Sequence, residues 1–346
     1  MQSIGNSHRF YRYDASVTFQ VAVVGGGSWG TTVAHLVSHN LPTKLWCRDA
    51  VVARSIRQKN RNIRYLGKSK LHPQLDASVD LEEVVNNANI ILMAIPSQSF
   101  REVLRQLLPF SKPVTPIISL TKGLEQKTNL TMTQVIASES PDRPTGVLTG
   151  PNLAAEVLAG DATAAVVATE NESLRAQAFQ VFSTETFRVY TSEDVIGCEL
   201  GGAFKNVLAL AVGMTTGLGT GDNTRAAVVT RGLAELARLG SAMGGAAETF
   251  SGLAGLGDLV ATCFSPQSRN RYVGEQLGKG RKTMEVLAGM NNVAEGVVTA
   301  PAVSNLAAAH KVETPISDQV TAVLQGKTSV TDAYDILLMR EQRSER

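Results

Sequence analysis

The chain opens its ordered pattern with an apolar, β-branched run, Val21 to Val24, that stops at a cluster of glycines. Beyond the glycines, apolar positions recur at Val33, Leu36 and Val37, the spacing of one helix face. The pattern therefore predicts strand, tight turn, helix. Lys44 to Cys47 reads as a second strand, and Ala88 to Ile95, a continuous apolar run ended by Pro96, as a buried parallel strand. Pro116 to Leu120 and Gly146 to Thr149 predict further strands, and Thr163 to Ala168 and Phe187 to Tyr190 late or edge strands. Helical segments such as Phe100 to Leu108 fall between them. This alternation predicts a doubly wound α/β sheet of the Rossmann type. From about Val195 strand runs cease, and Ala/Leu-rich segments (Asn206 to Met214, Ala226 to Leu239, Ala300 to His310) predict an all-α C-terminal domain. The expected division is an extension over residues 1–18, a dinucleotide-binding domain over 19–193 and a helical substrate and catalytic domain over 194–346.

Composition narrows the function classes. A length of 346 residues favours about two domains, and 43% hydrophobic residues fit a globular interior. The 33 basic and 31 acidic residues give a net charge of +2 with no long block of either sign, so no nucleic-acid partner is expected. The apolar runs Ile90 to Ile95 and Val207 to Val212 are too short to cross a bilayer, and residues 1–18 lack an apolar signal core. Cys47, Cys198 and Cys263 are widely spaced and odd in number, which argues against a disulfide framework or a zinc site and for a cytoplasmic setting. The five histidines form no pattern with acids or cysteines, so no metal is assigned.

The candidate chemistry lies at the predicted strand ends and in the helical half. Gly25, Gly27 and Gly30 form G-x-G-x-x-G between strand and helix, a turn that aims backbone N–H groups and a helix N-terminus at a pyrophosphate. Arg48, 18 residues after Gly30 at the end of the second strand, is placed to face a 2′-phosphate and favour NADP; Asp49 beside it would suit the ribose hydroxyls of NAD. Lys122 directly follows the Pro116–Leu120 strand and points toward the cleft at the sheet's carboxyl edge. Gly150-Pro151-Asn152 follows the next strand, with Ala154 opening a helix. In Gly201-Gly202-Ala203-Phe204-Lys205-Asn206, a lysine sits among small residues in an apolar helix. Burial there needs a partner, and a second cation nearby would lower its pKa for proton transfer; a structural pairing with Glu199 is the alternative. Asp258, after Ala254-Gly255-Leu256-Gly257, reads either as a partner for a lysine or substrate hydroxyl or as a helix N-cap. Ser268-Arg269-Asn270 opens a helix, as an anion site or an ordinary cap.

Together these motifs resemble the NAD(P)-dependent glycerol-3-phosphate dehydrogenase family, most closely its bacterial members. GGGSWGT, TKGLE, IGCELGGAFKNVLA, TRGLAE, GLAGLGDL, QSRNR and VAEG stand in the family's order from about Phe19 to near Leu338. The resemblance implies reversible reduction of dihydroxyacetone phosphate to sn-glycerol 3-phosphate by NAD(P)H, supplying glycerophospholipid synthesis, in a homodimer. It implies Lys205 as the proton donor and acceptor, and contacts to glycerol 3-phosphate from Lys122, Gly150, Asn152, Asp258, Ser268, Arg269 and Asn270. Cofactor contacts implied are Ser28, Trp29, Arg48, Lys122, Ala154, Arg269, Val293 and Glu295. The family usually carries Ser or Thr at Asn152 and Phe at Leu153. Two other readings remain open: a β-hydroxyacid dehydrogenase acting on a carboxylate, and a non-catalytic NAD(P)-binding redox sensor.

Overall fold

The computed structural model describes residues 19–290 and 294–341; the expected N-terminal extension and Val293 lie outside the described residues. Among the described residues eight strands form one sheet: β1 (Val21–Val24), β2 (Thr43–Trp46), β3 (Asp76–Ser78), β4 (Ile90–Met93), β5 (Ile117–Ser119), β6 (Thr145–Thr149), β7 (Thr163–Ala168) and β8 (Phe187–Ser192). Their order is β3-β2-β1-β4-β5-β6-β7-β8. All neighbours pair in parallel except β6 and β7, which are antiparallel. Of the two late runs, β8 is the edge and β7 lies inside the sheet. β3 went unpredicted because Asp-Ala-Ser carries no apolar run; it forms by pairing with β2 at the opposite edge. Every residue of β1 and β4 is buried, since helices cover both sheet faces with one apolar cluster each.

The helical half wraps one long helix, Val195–Gly217, which is buried from Gly197 to Thr215. By length and composition it would span a membrane, which the shorter apolar runs hid, but 89% of its apolar window is buried inside the protein. It is a core helix, packed on by Asp222–Ala242, Asp258–Phe264, Arg269–Gly278 and Glu295–Ala309. Its glycines decide how close those neighbours come. A Cβ on Gly213 would meet the Arg271 carbonyl at 2.1 Å, and one on Gly274 the Leu210 carbonyl at 2.1 Å. The two backbones touch without side chains between them.

Cys47, Cys198 and Cys263 are buried and free, and burial pushes each thiol up to about 12. His35, His39 and His72 cluster beside the first helix, and His35 Nδ1 accepts the His72 N–H at 2.8 Å. Burial, then His39 and His72, lower the His35 pKa to about 4. A histidine depressed in the fold contributes stability that is complete above its unfolded pKa of 6.5 and is lost as pH falls from there toward 4. The urea midpoint is therefore expected to fall between pH 7 and pH 5, and to fall less in His35→Asn, whose amide oxygen can still accept the His72 N–H. Equal losses in both proteins would exclude His35 as the cause.

Candidate active site

The parallel strands end along one edge of the sheet, and a candidate residue stands just beyond each of four of them. After β1 comes the glycine turn, after β2 Arg48, after β5 Lys122 and after β6 Gly150. The long core helix lies across this edge. Its Gly202 allows the approach: a Cβ there would meet Thr149 Oγ1 at 2.9 Å and Lys122 Cγ at 3.4 Å. A Cβ on Gly201 would meet the Ala254 carbonyl at 2.4 Å. The two glycines let the Lys122 loop and the 253–258 segment close on opposite flanks of one helical turn. Lys205 projects from the next turn.

Both lysines converge on one carboxylate. Lys205 Nζ donates to Asp258 Oδ1 at 2.6 Å and to Thr262 Oγ1 at 2.7 Å. Lys122 Nζ donates to Asp258 Oδ2 at 2.7 Å, to Asn152 Oδ1 at 2.7 Å and to the Gly150 carbonyl at 2.8 Å. Asp258 is 2% exposed at its side chain, Lys205 9% and Lys122 15%. Asp258 is not a helix N-cap: Gly257, the last residue of a π-helical turn over Leu253–Gly257, holds that position, and Asp258 is the first residue of the helix that follows. Glu199 is not the lysine's partner; it accepts the Thr133 N–H at 2.9 Å and the Thr133 hydroxyl. Burial lowers the Lys122 pKa to about 7, with Asp258 opposing the fall and Lys205 adding to it. One carboxylate thus serves both lysines, so Asp258 keeps Lys122 as a partner when Lys205 turns toward a ligand.

Around this triad two buried polar atoms, Thr149 Oγ1 and Asn152 Nδ2, have no partner among the described residues. Such atoms are costly in a closed core and useful in a ligand cleft. Gly150 sits at φ +118° with its Cβ direction blocked by Ala165 and Ala164, so only glycine suits that turn.

The remaining candidates stand at the starts of two neighbouring helices, Arg269–Gly278 and Glu295–Ala309. Ser268 caps the Arg269–Gly278 helix, accepting the Arg271 N–H at 3.2 Å. Arg269 is exposed by surface area, yet its guanidinium is recessed enough for desolvation to lower its pKa, with Glu295 opposing. Asn270 is engaged at both ends of its amide, donating to Asn206 Oδ1 at 2.8 Å and accepting the Gly296 N–H at 3.0 Å. Asn206 in turn donates to the Lys122 carbonyl at 3.2 Å. Asn270 therefore ties the Arg269 helix to the Lys122 loop in this state. Burial raises the Glu295 pKa, and Ser97 holds its carboxylate through an N–H at 3.2 Å and a hydroxyl at 2.5 Å. Asn206, Thr262 and Ser97 were not among the sequence candidates. Of these, Thr262 was open to discovery, one helical turn after Asp258 on the same face.

Beyond β1, the glycine turn fits a dinucleotide. A Cβ on Gly25 would meet the Ala94 carbonyl at 2.4 Å, and one on Gly30 the Gly25 carbonyl at 2.0 Å, whereas one on Gly27 would meet nothing within 4 Å. Gly25 and Gly30 close the turn; Gly27 leaves its backbone open to an approaching pyrophosphate. The buried indole N–H of Trp29 has no partner among the described residues. Ser28 Oγ donates to the Tyr65 carbonyl at 3.3 Å, and Ala154 accepts from Thr32 Oγ1 at 3.4 Å. Arg48 is exposed beside this turn. Gly25, Gly27, Ser28, Trp29, Gly30 and Arg48 thus lie beyond β1 and β2, and the lysine triad beyond β5 and β6, with only β4 between β1 and β5 in the sheet.

Two family models match: the N-terminal part of NAD-dependent glycerol-3-phosphate dehydrogenase over residues 20–175, and its C-terminal part over residues 194–335. A protein named glycerol-3-phosphate dehydrogenase [NAD(P)+] 2 from Sphingopyxis alaskensis is 52% identical over 319 residues, covering 92% of this chain and 96% of the relative. Glycerol-3-phosphate dehydrogenase [NAD(P)+] 1 from Mycobacterium tuberculosis is 49% identical over 316 residues, covering 91% and 93%. The crystal structure of glycerol-3-phosphate dehydrogenase from Coxiella burnetii superimposes with a TM-score of 0.89 at 37% identity, covering 93% of this chain and 99% of that one.

Proposed function

The chain belongs to the NAD-dependent glycerol-3-phosphate dehydrogenase family, and from that membership we propose how its residues carry the reaction. It is an NAD(P)-dependent oxidoreductase that reversibly interconverts dihydroxyacetone phosphate and sn-glycerol 3-phosphate. The observation that carries the residue assignments is the convergence of Lys122 and Lys205 on Asp258 at the carboxyl ends of β5 and β6.

Gly25, Gly27, Ser28, Trp29, Gly30 and Arg48 would hold the dinucleotide, whose nicotinamide would supply the hydride. As the ketone is reduced, negative charge grows on its oxygen. Lys205, as ammonium, donates the proton to that oxygen, and in the reverse direction takes it back. Lys122 stabilises the same charge from the other flank. Asn152 and the Gly150 carbonyl hold the Lys122 ammonium in place, and Thr262 does so for Lys205. Asp258 orients both lysines and keeps one charged while the other reacts. Glu295, held by Ser97, walls the cofactor side of the cleft. The domain division at residues 193 and 194 fits this reading, with the dinucleotide on the sheet and the substrate between sheet and helices.

Arg269 and the helix start at Ser268 grip the phosphate, which fixes the distance from carbonyl to nicotinamide. Arg269→Ala is expected to lower kcat/KM for dihydroxyacetone phosphate by roughly 10- to 100-fold, the scale of a lost charge-assisted bond. Turnover of unphosphorylated dihydroxyacetone should barely change. Equal losses for the two ketones would remove Arg269 from the phosphate.

A cytoplasmic homodimer feeding glycerophospholipid synthesis completes the reading.

A further inference from the structure

The proposed dehydrogenase reading leaves open which nicotinamide nucleotide the chain prefers, and the β2 end carries both an arginine and an acid. The surroundings of Asp49 separate their roles. Asp49 caps the helix Ala50–Lys59, its Oδ1 accepting the Val51 N–H at 2.8 Å. Its Oδ2 accepts Arg64 Nη1 at 2.6 Å. Both oxygens are thus engaged, and the Val51 N–H and Arg64 together hold the carboxyl below its usual range. Arg48, one residue earlier, is exposed and forms no ion pair among the described residues.

The partner segment is built onto the cofactor turn. Asn62 Nδ2 donates to the Gly26 carbonyl at 3.0 Å and to Thr31 Oγ1 at 2.8 Å, and the Tyr65 carbonyl accepts from Ser28. On the other side a Cβ on Gly26 would meet Cys47 Sγ at 2.5 Å, so the β2 end packs directly on the glycines. Arg64, at 5.3 Å over the Tyr65 ring, spans from this segment to Asp49. The ion pair therefore bridges the end of β2 to the segment packed on the glycine turn.

We propose that the Asp49–Arg64 ion pair sets a preference for NADP(H) over NAD(H), by withdrawing the acid from the ribose hydroxyls and leaving Arg48 to meet a 2′-phosphate. The inference rests on the dehydrogenase reading. Arg64 acts through Asp49 and is a positioning residue. A free Asp49 would accept both ribose hydroxyls of NAD and repel the phosphate of NADP; a neutralised, turned-away Asp49 does neither.

The test is calorimetric titration of NADP⁺ and NAD⁺ into cofactor-free protein, which needs no turnover. The wild type should bind NADP⁺ more tightly. Arg64→Met should shrink the ratio of the two affinities at least about tenfold, the scale of one charge-assisted contact. Arg64 is 60% exposed at its side chain, so the variant should fold, with a thermal midpoint close to the wild type's. Asp49→Asn keeps the helix cap and should keep the NADP⁺ preference. Asp49→Asn added to Arg64→Met should restore it. An unchanged ratio in Arg64→Met would overturn the proposal. So would failure of the double variant to recover, since Arg64 would then grip the phosphate itself. Binding of neither nucleotide would instead bring down the dehydrogenase reading. Tighter NAD⁺ binding with dihydroxyacetone phosphate still reduced would remove only the selectivity assignment.

Discussion

Lys205→Ala is expected to lower turnover of dihydroxyacetone phosphate by at least ~10²-fold, the low end for loss of a general acid, while nucleotide affinity stays within twofold or so of wild type. The separation of the two effects comes from placement. Lys205 sits on the core helix beside Asp258 and Thr262, in the helical half and not on the glycine turn. Its removal leaves Asp258 paired with Lys122, so the cleft keeps a balanced charge and the fold should persist. Lys122 cannot take over, because its ammonium is pinned by Gly150 and Asn152 on the other flank. Lys205→Arg should recover little, since a guanidinium keeps the charge and does not release the proton. Steady-state kinetics alongside nucleotide titration check this. Unchanged turnover in Lys205→Ala would remove Lys205 from the proton transfer.

Asp258→Ala is expected to cost both stability and activity. Two buried ammonium groups lose their shared counter-charge, and breaking a buried pair by deleting one partner destabilises by about 3–5 kcal/mol. The loss should sit near the low end, because Lys122 keeps two acceptors and Lys205 keeps Thr262. The fold can also answer by neutralising a lysine, and Lys122, already lowered to about 7, is the one to do so. That response removes the charge that stabilises the developing oxyanion, so kcat should fall with stability. Asp258→Asn, which still accepts one hydrogen bond, should lose less on both measures. Urea unfolding at pH 7 gives the first quantity and initial rates the second. A variant within about 0.5 kcal/mol of wild type, the usual range for inconsequential surface changes, would mean that Asp258 does not hold the lysines together.

Much of this molecule was legible in order along the chain. β1 and β4 announce themselves because strands buried on both faces must be apolar throughout. The change at Val195 was legible for the same reason, the start of a helix buried all round. β3 was not, since a three-residue edge strand needs only a partner. The site was legible as residues and not as a constellation. Lys205 and Asp258 stand 53 positions apart, and Lys122 and Asp258 136 apart, so no spacing links them. What the sequence did carry was the permission for contact, in Gly201 and Gly202, and the cost of a lysine in an apolar helix. Which carboxylate met that cost had two answers in sequence, Glu199 and Asp258. The helix decides between them, turning Glu199 toward Thr133 and Lys205 toward the π-helical turn that presents Asp258. The Asp49–Arg64 pair was illegible for a similar reason: Arg64 lies on a four-residue helix whose place beside the glycines depends on Asn62.

The most direct measurement tracks nicotinamide absorbance with the purified protein, NADPH or NADH, and dihydroxyacetone phosphate. Oxidation of the cofactor in step with the ketone consumed, with NADPH the better substrate, is the expected result. No oxidation of either cofactor by folded protein that still binds nucleotide would contradict the assignment of Lys205, Lys122 and Asp258 to reduction of this ketone.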